Sequence, residues 1–256
     1  AYYPGDMLDD KHFLDRIEEG LATLKRASTT LPDLHWVIGA PTLRDGPGKH
    51  LHNSLLVLRN GTVRLKYDKQ LLPTYNIFDE RRHFEPGPDV AKVLRIGGTQ
   101  VGLLVCEDGW NDHGTDYATN PFERLRDAAP DLVISINASP SHVGKREQRH
   151  QIFGGSSRRH GLPILYVNQV GGHDQAAARA GQAQPVGEEG GRRGHLLLGV
   201  VVVGGQLALL EEARNAVAGL ADARGAGAQH YGDALAADPR APLLDALPDL
   251  VQRRQQ

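Results

Sequence analysis

VLRIGGTQVGLLVCEDGW, residues 93–110, decides the fold class. Gly97-Gly98 divides two apolar stretches, which predicts a pair of strands turning at the glycines. The second stretch, VGLLVC, is almost continuously apolar, and so is DLVISIN at 131–137. Strands of that kind are covered on both faces. Working outward, HFLDRIEEGLATLKRAS (12–28) places Phe13, Ile17, Leu21 and Leu24 at helical spacing. HWVIGAP (35–41) reads as a strand. LLVLRNGTVRLKY (55–67) carries Asn60-Gly61 between apolar runs, a strong hairpin signal. Helices are expected over 121–129 and near 145–160, and a strand over PILYVNQV, 163–170. Strands and helices that alternate through short links predict an α/β fold.

The 256 residues are 40% apolar and 23% charged, enough to bury a sizeable core. The net charge of −2 shows no basic footprint, so no nucleic-acid partner is expected. One cysteine excludes an internal disulfide framework and fits a reducing, cytoplasmic setting. No signal peptide is visible after Ala1. The most apolar run, 196–210, contains Gln206 and three glycines and falls short of the roughly 20 residues of a membrane helix. It reads as a buried strand or helix segment, and no membrane partner is expected.

Composition changes at about residue 175. Residues 176–256 lack Lys, Ile, Phe, Trp, Ser, Thr, Cys and Met and are rich in Ala, Gly and Arg. Three readings compete: a low-complexity tail, a separate helical segment around 210–220, or an out-of-frame translation of a GC-rich gene. The loss of eight residue types favours the last. The expected division is therefore 1–174, a domain, and 175–256, a tail of different origin.

Several residues carry potential chemistry. Cys106 ends an apolar strand and precedes an acidic, Gly-containing loop, where a nucleophile is held yet reachable. A small buried hydrophobe is the plainer reading. Lys69 lies where a strand gives way to a Pro-containing loop, able to stabilise charge on a carbonyl oxygen or merely to be solvated. Glu80 follows eleven residues later; it either orients that lysine or pairs at the surface with Arg81 and Arg82. Ser139 sits in the loop after DLVISIN, as a turn or helix-cap residue or a substrate contact. Lys145 and Arg149, four apart, share a helix face. A Cys106–His142 dyad lacks an orienting third group, and cysteine chemistry does not need it if a carboxylate is the base. The histidines lack zinc spacing, so no metal is expected. Neither a dinucleotide fingerprint nor a Walker loop occurs in the chain.

Taken together and in order, KQLLPTYNIFDERRHFEPG (69–87), VGLLVCEDGW (101–110), ISINASPSHVGKREQR (134–149) and ILYVNQVGG (164–172) resemble the nitrilase, or carbon–nitrogen hydrolase, superfamily. AYYPGDML (1–8) and LPTYNIFDERRHF (72–84) are most similar to the glutaminase domains of glutamine-dependent NAD synthetases. The resemblance covers about two thirds of the chain. It implies a four-layer αββα sandwich, incomplete at both ends, and a Glu–Lys–Cys triad. Lys69 matches the family lysine, Cys106 the nucleophile, and Glu80 a second glutamate near the site. Tyr75 and Ser139 match glutamine-contacting positions, and Lys145 a basic residue that holds the substrate carboxylate. The general-base glutamate is expected just before Ala1. The resemblance further implies glutamine as substrate, a homo-oligomer, and a partner synthetase domain that is not in 1–256. ATP and Mg belong to that domain; none is expected as a cofactor here.

Overall fold

The computed structural model describes residues 4–140 and 142–169, and the backbone of 171–173, 176–178, 184–186 and 198–200. Its elements in order are α1 (Lys11–Ser28), β1 (His35–Leu43), β2 (Leu51–Arg59), β3 (Thr62–Asp68), β4 (Val93–Ile96), β5 (Thr99–Val105), α2 (Pro121–Ala128), β6 (Leu132–Asn137), α3 (Lys145–His160) and β7 (Ile164–Asn168). Four short strands follow: β8 (Gly171–His173), β9 (Ala176–Ala178), β10 (Gln184–Val186) and β11 (Leu198–Val200). Of the apolar run 196–210, residues 198–200 are thus a strand; 201–210 and the helical pattern at 210–220 lie outside the described residues.

Two main sheets form, one ordered β11-β1-β2-β3 and the other β10-β7-β6-β5-β4, and β8 pairs with β9 in a separate two-stranded sheet. The first is antiparallel from β1 to β3 and gains β11 in parallel on β1. The second has a parallel centre, β5-β6-β7, with antiparallel β4 and β10 at its edges. The hairpin turns at Asn60 and Gly61, both at positive φ (46° and 77°), the conformation that the Asn-Gly pair tolerates. The β4–β5 turn uses Gly97 at φ 60° for the same reason.

Strand alternation sorts the core into layers. Trp36, Ile38, Leu56 and Leu58 face outward from the first sheet and pack against Leu21, Leu24 and Ala27 of α1. Val37, Leu55, Val57 and Tyr67 face inward and meet Val101, Leu103, Val105, Ile134 and Ile136 of the second sheet. Leu104, Val133 and Ile164 point to its other side, under Phe122 and Leu125 of α2 and Phe153 of α3. The layers therefore run helix, sheet, sheet, helices. The continuous apolar strands are explained: both faces of β5 and β6 are dry.

The parallel centre aligns three strand ends. Val105 pairs with Ile136, and Asn137 with Asn168, so the loops after β5, β6 and β7 open on one edge. Such edges collect functional groups.

Candidate active site

Cys106 begins a single 3-10 turn, Cys106–Gly109, directly off the end of β5. Its φ is +46°, a left-handed backbone that non-glycine residues rarely adopt. Such strain is kept where surrounding structure enforces it, and it commonly marks function. The side chain is partly buried and lines a cleft with Gly39, Asn53, Lys69, Phe78, Glu80, Val105, Ile136, Asn137 and Ala138.

Lys69 reaches this cleft from the opposite sheet, one residue beyond β3. Its backbone N–H donates to Asn53 (2.8 Å), and its carbonyl accepts from Gly87 (2.8 Å), so the chain is fixed on both sides. The side chain is 1% exposed, and Nζ lies 2.6 Å from Oε1 of Glu80. Asn53 Nδ2 donates to the other Glu80 oxygen at 3.2 Å. The surface reading of both residues is thereby corrected. Arg82 turns away to Asp6 (3.2 Å), while Glu80 points inward at 5% exposure. The backbone explains this. Glu80 N–H donates to Pro73 O, and Glu85 N–H to Leu51 O, which pins the loop against the start of β2.

The electrostatics follow from burial and charge. Burial pulls the Lys69 ammonium down, but Glu80, backed by Cys106 and Asp108, outweighs it and holds lysine above its ordinary value. Burial pushes the Cys106 thiol up, and Glu107 and Glu80 add to this; Lys69 and the Ala138 backbone oppose without cancelling. The resting group at neutral pH is then the thiol, and its use as a nucleophile requires a base.

Two acids after the cysteine point in different directions. Glu107 accepts from the hydroxyls of Tyr75 (2.9 and 3.0 Å) and Tyr117 (3.1 Å). Burial and then the Glu107 charge push both phenols above the ordinary tyrosine range, so both stay protonated as donors. Asp108 is fully buried and accepts from Tyr67 and three backbone N–H groups. Tyr75 stacks edge-on against Phe78, which lines the cleft, so the Tyr75–Glu107 pair stands at its rim.

The remaining expected residues are close but differently engaged. Ser139 is 3% exposed; its N–H donates to Asn168 Oδ1, and its carbonyl accepts from Arg149. It does not cap α3, whose N-cap is Gly144. Lys145 lies 4.0 Å above the Trp110 ring. Burial and Arg149 lower its ammonium, while Cys106 and Glu107 pull the other way, so it belongs to the same charge field. His142 is exposed and bonds the neighbouring Val143 carbonyl, apart from any cysteine dyad. Asp6, Asp9 and His83 bring three potential ligand atoms within 4.8 Å of one another, but Arg82 already serves Asp6 there. Asn53, Glu107, Asp108, Trp110 and Tyr117 were not singled out from sequence. For the two acids, their place directly after Cys106 was the available signal.

The carbon–nitrogen hydrolase family matches residues 8–192. This chain belongs to that family. Glutamine-dependent NAD(+) synthetase of Synechocystis sp. is 34% identical over 183 residues, covering 68% of this chain and 32% of the relative. The protein of the same description from Xanthomonas campestris is 36% identical over 175 residues, covering 68% and 29%. The chain thus spans about a third of the length of these curated relatives. Among solved structures, glutamine-dependent NAD+ synthetase from Acinetobacter baumannii, in complex with ADP, superposes with a TM-score of 0.60 at 28% identity, over 70% of this chain and 32% of that one. An amidase from Nesterenkonia sp. AN1 superposes at 0.59 with 19% identity, over 72% and 66%, which speaks to the shared fold. Among the described residues no helix is long and apolar enough to cross a membrane.

Proposed function

We propose that this domain hydrolyses the side-chain amide of glutamine through a Cys106 thioester and supplies ammonia to a synthetase domain. One observation carries the chemistry: a buried Lys69–Glu80 pair at 2.6 Å shares a cleft with a cysteine held at positive φ. Glutamine, rather than another amide, is supported by the identity to glutamine-dependent NAD synthetases.

The steps follow from the charges. A carboxylate takes the thiol proton, and sulfur attacks the amide carbon. The oxygen that becomes negative is met by the Lys69 ammonium and by the backbone N–H of Glu107, just after the nucleophile. Glu80 keeps Lys69 charged and aimed. The protonated base returns its proton to the amide nitrogen, ammonia departs, a glutamyl thioester remains, and water activated by the same, now deprotonated, base releases glutamate. The family resemblance assigns the proton acceptor to a glutamate other than Glu80, Glu107 and Asp108, which are themselves engaged by Lys69, Tyr75 and backbone N–H groups. Tyr75 and Ser139 line the approach of the substrate, and Lys145 holds its carboxylate. No cofactor is needed for this half-reaction; ATP and Mg would serve only the synthetase. The domain is proposed to be a four-layer αββα sandwich in a homo-oligomer.

The test is thiol labelling by a chloroketone analogue of glutamine. Rapid modification of Cys106, slowed by L-glutamine and lost in Cys106→Ala, is expected. Protection by other amides but not by glutamine points instead to an amidase or carbamoylase. Absence of labelling in folded protein that carries the family's general-base glutamate means a catalytically dead remnant.

A further inference from the structure

Asp108 is a buried charge that the proposed chemistry does not use. It is 0% exposed, and four donors meet its carboxylate. Oδ1 accepts from the backbone N–H of Gln70 (3.1 Å) and Leu71 (2.8 Å). Oδ2 accepts from the Tyr67 hydroxyl (2.7 Å) and the Val105 N–H (3.1 Å). Tyr67, on β3, and Gln70 and Leu71, in the loop that follows it, bracket Lys69. Val105 is the last residue of β5 on the second sheet and delivers Cys106. The sheets otherwise meet here through apolar side chains such as Leu55, Tyr67 and Val105. Apolar contact is non-directional, whereas hydrogen bonds in a dry interior fix distance and angle.

We propose that Asp108 is a positioning residue: its carboxylate clasps the chain on both sides of Lys69 to the strand bearing Cys106, and thereby sets the lysine–sulfur separation. Four donors satisfy the carboxylate, and the nearby Lys69 ammonium also favours its charged form. The clasp also anchors the 3-10 turn that holds Cys106 at positive φ, because Asp108 lies within it and bonds back to Val105. The proposal rests on the reading of Lys69 and Cys106 given above.

The sulfur reports the separation. Lys69 is the charge that pulls the thiol pKa down, so any widening raises that pKa. The experiment measures the rate of Cys106 alkylation by iodoacetamide against pH in the 256-residue chain, with a urea midpoint for each variant. Asp108→Asn turns an N–H₂ group toward an N–H donor and opens one side of the clasp. Its alkylation at about pH 8 is expected to slow on the order of tenfold, as for a thiol pKa raised by about one unit. Tyr67→Phe removes one donor, leaves the backbone ones, and is expected to slow alkylation less but in the same direction. It also keeps the test alive if Asp108→Asn fails to fold. A lowered urea midpoint with an unmoved alkylation profile in the folded variants overturns the proposal and leaves Asp108 a stabilising residue. Lys69→Met separates the two claims. If it shifts the profile and the clasp variants do not, only the Asp108 proposal falls. If Lys69→Met shifts nothing, the Lys69–Cys106 reading falls and takes this proposal with it.

Discussion

Glu80→Gln isolates the buried ion pair. At 2.6 Å and an effective dielectric of about 20, the attraction between Lys69 and Glu80 is roughly 6 kcal/mol. Each ion loses several kcal/mol of hydration on burial, so the pair as a whole contributes little. Removing one partner is different. The Lys69 ammonium stays at 1% exposure with no counter-charge in contact. Its escape is to lose its proton, which at pH 7 costs about 5 kcal/mol from a reference pKa near 10.4. The expected loss is therefore about 3–5 kcal/mol at pH 7. The sign with pH follows. In the unaltered protein the folded pKa of Lys69 is raised, so its contribution is full below the unfolded value and fades as pH climbs through the folded one. In Glu80→Gln the folded pKa is depressed instead, so the variant regains stability as pH rises toward about 10. Urea unfolding followed by Trp36 and Trp110 fluorescence, at about pH 7 and pH 9, measures both effects. Adding Lys69→Met to Glu80→Gln removes the stranded charge and is expected to restore at least half of the loss. A cost below about 1 kcal/mol at pH 7, or no relief from higher pH and from the second substitution, refutes the reasoning.

Other outcomes follow from the same structure. Lys69→Met removes the main charge that lowers the Cys106 thiol, so alkylation at about pH 8 should slow and its inflection move to higher pH. Gly109→Ala places a Cβ 2.3 Å from the Phe153 ring, and thermal unfolding should show about 1–3 kcal/mol of overpacking cost. Phe153→Ala empties the contact with Trp110, Tyr166 and Leu104 and is expected to cost about 3–5 kcal/mol in urea titration. Burial pushes the Asp112 carboxyl up, but His160, Ser156 and Arg159 outweigh it and hold it below its ordinary value. Its stabilisation is present above the unfolded carboxylate pKa and is lost as pH falls through the folded one. Asp112→Asn should thus cost about 2–3 kcal/mol at pH 7 and flatten the acid limb of the stability profile.

Elements were legible in the sequence because their causes are local. The Asn60-Gly61 pair permits positive φ at two successive positions, so the hairpin is encoded where it occurs. The helix at 12–28 and the strands ending at Val105 and Asn137 follow from apolar spacing, and the covered faces of β5 and β6 from unbroken apolar runs. The placement of Cys106 at a strand end belongs to the same class. The partner of Glu80 does not. Beside Arg81 and Arg82 it reads equally well as a surface acid, and only the return of residues 73–85 against β2 turns it inward onto Lys69. Likewise, adjacency to Cys106 cannot say that Glu107 takes two tyrosine hydroxyls while Asp108 grips the opposite sheet. Periodicity reports what one element buries along its own length. The direction of a charged side chain is set by which backbone donors and counter-charges another element brings to it, and that is decided when the two sheets close on each other.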